Sequence, residues 1–443
     1  MAMKKFYLFP ALLVSLSAFA DFSTNTPQSA NVLAKQIDLA IYQNDIPQLY
    51  ILLEKYRSVP DAEKNTILEL FAESVLAKAQ QDYTTAIRLL REILAQNPAL
   101  NPVRIELAKV LFLDQQNNEA EMQFKQAKSD HIPPQVEQLI NLYLNAIQQR
   151  NSWYSYINTY YVQTKNVNNT ASSRNIENTG FIKNDDMLPQ SAHGIAFNLT
   201  IGKDSNLSQS HYLALVNNFS GKYYWDKHDY TDIQNRLSVG YKRKSAAQQF
   251  AILPFYEWRW LANKRYQQNS GLSLEWSKWL NNNLQLSANW EYSRNRYPTN
   301  QNLNGYNQLF STTLLWLPNS TQLFYLGTDF QLEKTRVKQY SNRTHSVRTG
   351  WKQEWRAGIS TQLNLSFSQR KFQDKAVLGG ILPLNKVRQD KIYNASLTLW
   401  KRDWHYWDIT PKLRLTWKKQ ASNISTMYSY SDKNINLLFE KSF

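Results

Sequence analysis

The last ten residues of the chain alternate apolar and polar side chains, which is the pattern of an extended strand with two different faces. Ile435, Leu437, Phe439 and Phe443 fall on one face, because successive side chains of a strand point to opposite sides. The polar residues of the segment fall on the other face. An aromatic residue at the end of such a strand is typical of a transmembrane β-barrel, and we interpret Phe439 and Phe443 as a C-terminal assembly signal.

The same alternation recurs over the second part of the chain, in segments separated by turn residues. In residues 409–418, for example, Leu413 and Trp417 oppose Lys412 and Arg414. We count fourteen antiparallel strands, an even number, as single-chain bacterial barrels require. The strands are predicted to begin near residues 153, 191, 211, 232, 249, 270, 284, 305, 321, 346, 361, 390, 407 and 432.

The face opposite the apolar one is polar or charged in nearly every segment, which suits a wet lumen with lipid outside. Eight basic residues on this face are predicted to line the lumen: Arg236, Lys242, Arg348, Lys352, Arg356, Arg370, Lys412 and Arg414. They could serve as a polar path for cargo. They could equally form a salt-bridged wall that holds the barrel in shape, with Glu275, Glu291 and Glu354 as candidate partners.

Short and long connections alternate between the predicted strands, and the long ones include residues 163–190 and 372–389. Short turns of such barrels face the periplasm and long loops face outward. Both ends of the barrel, and any module attached to its first strand, are therefore expected in the periplasm. Lysines of the outward loops would meet lipopolysaccharide phosphates. The polar stretch 163–190 is interpreted either as an outward loop or as a strand extension.

The first part of the chain has a different period, because its apolar residues recur at three and four positions from about residue 28 to residue 150. Several corresponding positions lie 34 residues apart, which is the tetratricopeptide (TPR) period. The positions predicted for repeat packing or a client groove are Ala86, Leu90, Ala108, Leu111, Ala120 and Phe124. A plain array of helical hairpins is the alternative. Either form offers a concave face for an extended polypeptide.

The N-terminus has the features of a secretory signal peptide. Lys4 and Lys5 precede an apolar stretch that is too short to span a bilayer, and Ala18-Phe19-Ala20 is a small-x-small cleavage site. The predicted organisation is a signal peptide over 1–20, a periplasmic TPR-like helical domain over 21–150 and a transmembrane β-barrel over 151–443.

Composition divides the chain at the same place. All 14 tryptophans lie at or after Trp153. Residues 21–150 carry 12 Lys and Arg against 16 Asp and Glu, whereas residues 151–443 carry 37 against 19. The basic surplus does not indicate nucleic-acid binding, because a signal peptide and a membrane pattern accompany it. The tryptophans suit the bilayer interface, with sugar-stacking platforms in a channel as the alternative.

Catalysis and metal binding find little support in the residues. The chain has no cysteine, so disulfides, thiolate zinc sites and thiol nucleophiles are excluded. The six histidines, which include His131 and His405, follow no regular spacing, and the neighbours His345 and Ser346 in Thr344-His345-Ser346 have no visible third member of a catalytic triad. The acidic pair Asp185-Asp186 is interpreted as solvated. We therefore predict no enzyme, no cofactor and no metal site.

The combination of signal peptide, helical repeats and fourteen-stranded barrel resembles the surface lipoprotein assembly modifier (Slam) family. The segment Arg104–Phe112, followed by Ala120 and Phe124, resembles the second helical repeat of the family. The stretch from Ile132 to Arg150 resembles its approach to the barrel. The resemblance implies an outer-membrane translocon of type XI secretion, with surface lipoproteins or secreted haem-capturing proteins as clients.

Two other functions compete with protein transport. A substrate-specific porin explains the barrel, although it has no use for about 120 residues of helical repeats. An adhesin or structural barrel would need sugar-binding positions in the helices, which the sequence lacks. The expected partners are a client protein, periplasmic chaperones, the barrel assembly machinery and outer-membrane lipid, and the expected state is a monomer.

Overall fold

A computed structural model describes residues 28–129, 132–177, 179–404, 407 and 409–442. The predicted signal peptide over 1–20, the histidines His131 and His405, and the predicted assembly role of Phe443 lie outside these residues. The chain forms two compact units. The first comprises the described residues up to Ser152 together with Asn206–Tyr212 and Lys244–Ala246, and the second comprises the remainder.

Helices fill the first unit. They are α1 (Gln28–Gln43), α2 (Ile46–Arg57), α3 (Thr66–Ala79), α4 (Tyr83–Gln96), α5 (Asn101–Leu113), α6 (Asn117–Lys128) and α7 (Pro134–Arg150). Their apolar stripes meet in one core, as amphipathic helices require. Among the described residues, no helix combines the length and the apolar character needed to cross a membrane.

Three hairpin turns of this unit share one backbone conformation, which explains the repeat. Asn44, Gln81 and Gln115 have φ angles of 54°, 65° and 64°, the left-handed conformation that ends many helices. In each case the next amide donates a 2.9 Å hydrogen bond to the carbonyl five residues earlier. The side chains of Asp45 and Asp82 then cap the following helices. The predicted helical repeats are thus confirmed, with a third hairpin that the sequence showed less clearly.

The second unit is a closed antiparallel barrel of fourteen strands, as predicted. The strands are β1 (Tyr154–Thr164), β2 (Ala192–Ser208), β3 (His211–Tyr224), β4 (Asp232–Lys244), β5 (Gln248–Leu261), β6 (Lys264–Asn281), β7 (Leu284–Arg296), β8 (Gly305–Asn319), β9 (Gln322–Thr335), β10 (Asn342–Glu354), β11 (Ile359–Leu378), β12 (Leu382–Lys401), β13 (Thr410–Ser422) and β14 (Tyr430–Ser442). Each strand pairs with its neighbours in sequence, and β14 returns to pair with β1.

Two strands begin well before their predicted starts. β6 begins at Lys264 rather than near residue 270, because Ala262 and Asn263 make a two-residue turn with φ angles of 51° and 60°. β12 begins at Leu382 rather than near residue 390, because β11 and β12 continue as a hairpin up to Gly379 and Gly380. The predicted outward loop over 372–389 is therefore largely strand.

The connections separate the barrel into a short-turn end and a long-loop end. The short-turn end carries the joins 209–210, 245–247, 282–283, 320–321 and 355–358 together with 402–409. The long-loop end carries the join 165–191, which folds as a loop with a bridge between Asn175 and Ile182 and a short helical turn at Asp185–Met187. This loop packs against α8 (Ser425–Tyr428), which lies between β13 and β14.

Candidate functional site

The interior of the barrel can be identified from contacts between strands that are not neighbours. The guanidinium of Arg236 on β4 donates a 2.7 Å hydrogen bond to Glu291 on β7. Side chains three strands apart diverge on the convex outside of a barrel, so this contact passes through the lumen. The same guanidinium lies 3.4 Å from the centre of the Phe255 ring, a cation–π contact. Arg236 and the side chains that share its face therefore line the interior.

Arg348 anchors a second interior cluster. Its Nε donates to both carboxylate oxygens of Asp329, at 3.1 and 3.0 Å. Its Nη2 donates to Ser311 at 2.8 Å and to Thr313 at 2.7 Å, two strands away on β8. The guanidinium passes over Gly327, where an added Cβ would lie 2.8 Å from the Arg348 Cζ. A glycine at this position thus leaves room for an arginine that ties three strands together.

Lys242 forms an ion pair with Asp204 that is almost completely buried. Its ammonium donates to the two carboxylate oxygens of Asp204 at 2.9 and 3.2 Å, and the residue is 7% exposed. A charge at this depth is stabilised only when its partner lies beside it. Lys242 therefore belongs to the wall of the barrel.

A third group of charges surrounds an indole near the short-turn end. The Nζ atoms of Lys352 and Lys412 lie 5.5 and 4.8 Å from the centre of the Trp400 ring. Lys352 pairs with Glu354 at 3.3 Å, and Lys412 pairs with Glu440 at 2.9 Å. Trp400 is thus an interior tryptophan held between two cations.

The remaining three predicted lumen residues differ from these five. Arg370 and Arg414 donate long hydrogen bonds of 3.4 Å to Thr344 and Thr398. Neither has a carboxylate within 4 Å among the residues that the structure describes, so both leave positive charge in the lumen. Arg356 lies in the turn Arg356–Gly358, because the β10–β11 ladder ends at Glu354. The structure therefore separates Arg356 from the strand positions.

Sequence reasoning identified some of the acidic partners and missed others. Glu291 and Glu354 pair with the basic set, whereas Glu275 lines an interior cavity. Asp204, Asp329 and Glu440 were not identified as partners. The signal for Glu440 was its place on the polar face of the last strand. The other two required knowledge of the strand register.

Two cavities of about 520 and 500 Å³ open inside the barrel. The first is lined by β1 residues Tyr156, Asn158 and Tyr160 and by Arg414. The second contains Arg236 and several Asn, Ser and Glu side chains. Amides, hydroxyls and paired charges form a wetted surface to which apolar segments bind weakly.

The neighbouring residues His345 and Ser346 do not meet on one face of their strand. His345 contacts the Phe330 ring at 4.9 Å, while the Ser346 hydroxyl bonds to Ser368 at 2.9 Å. Consecutive strand residues point to opposite faces, so His345 and Ser346 are divided between the outside and the lumen. No group of three metal-binding side chains occurs in the described ranges.

In the helical unit, the six predicted packing positions are all in the core. Each is at most 1% exposed: Ala86, Leu90, Ala108, Leu111, Ala120 and Phe124. Small residues beside large ones allow paired helices to approach closely. The Phe124 ring stacks on Tyr143 with centres 5.0 Å apart. These side chains hold the repeats together and are inaccessible to cargo in this state.

Arg150 closes the last helix onto the repeat before it. Its guanidinium lies 3.5 Å from the centre of the Phe112 ring and donates a 2.7 Å hydrogen bond to the Phe112 carbonyl. Burial lowers the pKa of Arg150 to about 10. Both contacts belong to the C-terminal end of α7, so the end of the helical stack is rigidly defined.

The accessible apolar side chains of the helical unit lie elsewhere. Leu39, Tyr42 and Tyr50 are more than half exposed on α1 and α2. Met122 is 50% exposed in a groove of about 510 Å³ along α6, and Leu142 is 46% exposed on α7. The sequence signal for such residues is an apolar side chain outside the core-facing stripe of its helix. These positions are better candidates for contact with cargo than the predicted six.

Comparison with known proteins gives consistent matches along the chain. A family profile described as surface lipoprotein assembly modifier matches residues 153–443, and a profile for the N-terminal TPR repeats of the same family matches residues 23–124.

Individual relatives extend the match over nearly the whole chain. A surface lipoprotein assembly modifier of Pasteurella multocida is 33% identical over 91% of this chain and 81% of its own length. Surface lipoprotein assembly modifier 1 of Haemophilus influenzae is 33% identical over 95% of this chain and 89% of its own length. A hemophilin secretion modulator of Acinetobacter baumannii is 24% identical over 94% of this chain and 86% of its own length.

Proposed function

The chain belongs to the surface lipoprotein assembly modifier family, and from this premise we propose that it is an outer-membrane translocon for client proteins. Clients would be surface lipoproteins or soluble secreted proteins, by analogy with the names of its relatives. The observation that carries the proposal is the joining, in one chain, of helical repeats to a closed barrel with a polar interior. A porin needs only the barrel.

The interior chemistry supports passage of an unfolded polypeptide. Peptide groups and polar side chains find hydrogen-bond partners on a wall of amides, hydroxyls and paired charges. Five of the eight predicted basic residues are neutralised by carboxylates, so the wall holds its shape without a strong field. Arg370 and Arg414 are the two strand residues of this set without a carboxylate within 4 Å among the described residues, and their positive charge would guide acidic segments of a client.

The helical unit supports capture of the client before passage. Leu39, Tyr42, Tyr50 and Met122 present apolar surface to solvent. Weak binding at such a surface raises the local concentration of a client tethered near the barrel. In our proposal this unit lies in the periplasm, chaperones deliver the client to it, and the barrel assembly machinery inserts the chain as a monomer.

The energy for transport would come from the client itself. The periplasm holds no ATP, and the sequence has no glycine-rich phosphate loop. Folding of a client outside the cell removes it from the unfolded pool and makes return through the barrel unfavourable. Outward-loop lysines would meanwhile bind lipopolysaccharide phosphates.

The first test is co-expression in a laboratory host with the lipoprotein or secreted protein encoded beside the gene. Client accessible to protease on intact cells, or present in the medium, is expected only when this chain is present. Heat-modifiable migration on gels confirms assembly of the barrel. Client retained in the periplasm beside an assembled barrel would contradict the proposal, and solute uptake would then test a porin.

A second test separates capture from passage. Deletion of residues 28–150 is expected to leave an assembled barrel and to lower export, because the client is no longer concentrated at it. Reversal of the two unpaired charges, Arg370→Glu with Arg414→Glu, is expected to slow export of acidic clients. Arg348→Glu is the control, since it faces the paired Asp329 and should loosen the barrel instead.

A further inference from the structure

The barrel closes through a short ladder. We call the β1–β14 contact the seam. It consists of five residue pairs, from Tyr156↔Ser442 to Tyr160↔Leu438. On either side of it, β1 forms eleven pairs with β2, and β14 forms eleven pairs with β13. The seam therefore has fewer than half the pairs of the ladders that flank it.

Both strands continue past the end of the seam without forming further ladder pairs among the described residues. Residues 161–164 of β1 remain paired with β2, and residues 434–437 of β14 remain paired with β13. Continued register would set Tyr161 opposite Leu437 and Thr164 opposite Asn434. No pair joins these two segments among the described residues. Four positions without a ladder pair, at about 3.3 Å each, make an interruption roughly 13 Å long in the ladder between β1 and β14.

Beside the interruption, the outer face of β14 is exposed and its inner face is buried. Ile435 on the outer face of β14 is 72% exposed, compared with 49% for Leu437 and 41% for Phe439. On the inner face Asn436 is 6% exposed, and its buried Oδ1 has no hydrogen-bond partner within the described ranges. Unpaired strand edges are unfavourable in a bilayer.

The interruption is bounded on both sides, and we call this stretch of the β1–β14 contact without ladder pairs the slot. The five-pair ladder closes it toward the short-turn end. Toward the long-loop end, Thr164 donates a 3.2 Å hydrogen bond to Asp432. Beyond this bond, the 99% buried Lys183 donates to the carbonyls of Ala171 and Thr426 at 2.9 and 2.6 Å. This joins the β1–β2 loop to the β13–β14 loop across the seam.

The slot adjoins an open part of the lumen. The cavity of about 520 Å³ is lined by Tyr156, Asn158 and Tyr160, whose neighbours on β14 form the five-pair ladder. Arg414, on the strand behind β14, lines the same cavity. A polypeptide in this cavity would therefore lie directly behind the seam.

We propose that the β1–β14 seam is a lateral exit for the lipid anchor of an acylated client. The inference rests on the proposed function. An acyl chain is strongly disfavoured in a lumen of amides and charges, whereas a polypeptide is strongly disfavoured in lipid. A slot between two strands lets the acyl chain stay in lipid while the polypeptide stays in the aqueous lumen. The anchor moves along the slot within the bilayer while the polypeptide passes through the lumen, and the short ladder unzips to admit it.

The absence of cysteine allows a direct test by locking the seam. Thr159 pairs with Phe439 across the seam and with Phe197 on β2. Paired strand residues lie within the Cα range of a disulfide. Thr159→Cys/Phe439→Cys therefore locks the seam, and Thr159→Cys/Phe197→Cys is a matched control that changes the same residue types. The probe is the client of the co-expression experiment, made once with a lipoprotein signal and acylated cysteine and once with a plain signal peptide.

With oxidised cells, the seam lock is expected to reduce surface display of the acylated client at least tenfold relative to the control lock. Reductant should restore display, and export of the non-acylated form should be unchanged. Heat-modifiable migration of both variants confirms that the barrels assemble. Should one fail to assemble, the pairs Asn158/Glu440 and Asn158/Asn198 repeat the comparison.

Other outcomes contradict the proposal in different ways. Equal display with the seam and the control locked would overturn the lateral exit and leave the translocon intact. If the seam lock stops export of both the acylated and the non-acylated client, the seam widens the barrel and does not select the anchor. Failure of the unlocked protein to export either form would overturn the proposed function itself.

Discussion

The helical unit and the barrel bury opposite kinds of side chain. Phe124 and Leu90 are fully buried among the helices, while in the barrel Val347 is 51% exposed on the outer face and Asp390 is fully buried. Both arrangements follow from the same physics, because apolar surface moves away from water and toward lipid. The comparison teaches that burial alone does not identify a core. The solvent on each side of the wall has to be known first.

The largest expected effect tests whether the two units have separate cores. Phe124→Ala removes a stacked ring from a fully buried site and is expected to destabilise the helices by about 3–5 kcal/mol. Thermal unfolding of the helices, followed by circular dichroism at 222 nm, measures the loss. Phe310→Ala, at a 47% exposed outer position, is the control and should leave the helices unchanged. A barrel that lost heat-modifiability in Phe124→Ala would break the comparison.

A charge placed on equally exposed surface sharpens the difference in solvent. Val347 and Leu39 are 51% and 53% exposed. Val347→Arg is expected to cost about 2–4 kcal/mol, because the guanidinium would face lipid near the middle of a strand. Leu39→Arg should change stability by less than about 0.5 kcal/mol, because it faces water. Urea titration of the folded protein in detergent micelles or vesicles compares the stabilities of the two variants. Equal losses of stability would contradict the proposal that Val347 faces lipid and Leu39 faces water.

Two equally buried carboxylates test the same point for charges. The side chains of Glu106 and Glu291 are both 15% exposed. Burial raises the pKa of Glu106, but Lys109 and Lys78 outweigh it and lower the value to about 2. The stabilisation is therefore present above the unfolded pKa near 4.5 and is lost as pH falls toward 2. Glu106→Gln should cost about 2 kcal/mol at pH 7, and Glu291→Gln should cost less because it faces a wet lumen.

The smallest predicted effect is a gain in stability. Burial raises the pKa of Asp38 to about 6, and its buried Oδ1 has no hydrogen-bond partner among the described residues. Because the folded pKa exceeds the unfolded value, the favourable contribution is present below about pH 4 and is lost as pH rises through 6. Asp38→Asn should therefore stabilise the helices by about 1 kcal/mol at pH 7.5. The gain should vanish near pH 4, and a gain independent of pH would contradict this explanation.

Most of the fold could be predicted from the periodicity of apolar and polar residues along the sequence. The 34-residue spacing was visible because Gln81 and Gln115 end equivalent helices in the same way. The strands were visible because lipid and water impose a strict alternation of side chains. Where the chain turned without glycine, at Ala262 and Asn263, the boundary was misplaced.

The interior partners were largely beyond sequence reasoning. Arg348 and Asp329 lie 19 residues apart and meet only once β9 and β10 have their register. The interrupted seam depends on contacts between the two ends of the barrel. Glu291 could be nominated as a partner, yet its contact with Arg236 across three strands follows from curvature that no local pattern records.

The short seam also bears on how the chain folds. Asn158 and Glu440 are paired across 282 positions of sequence, so closure of the barrel depends on long-range contacts, which slow folding. The entropy of closing so long a loop grows only slowly with its length, by about 0.6 kcal/mol per doubling, so five pairs can close it. A chain interrupted before residue 438 leaves β1 without its partner. The ring therefore cannot close until residues 438–442 have been made and have paired with β1.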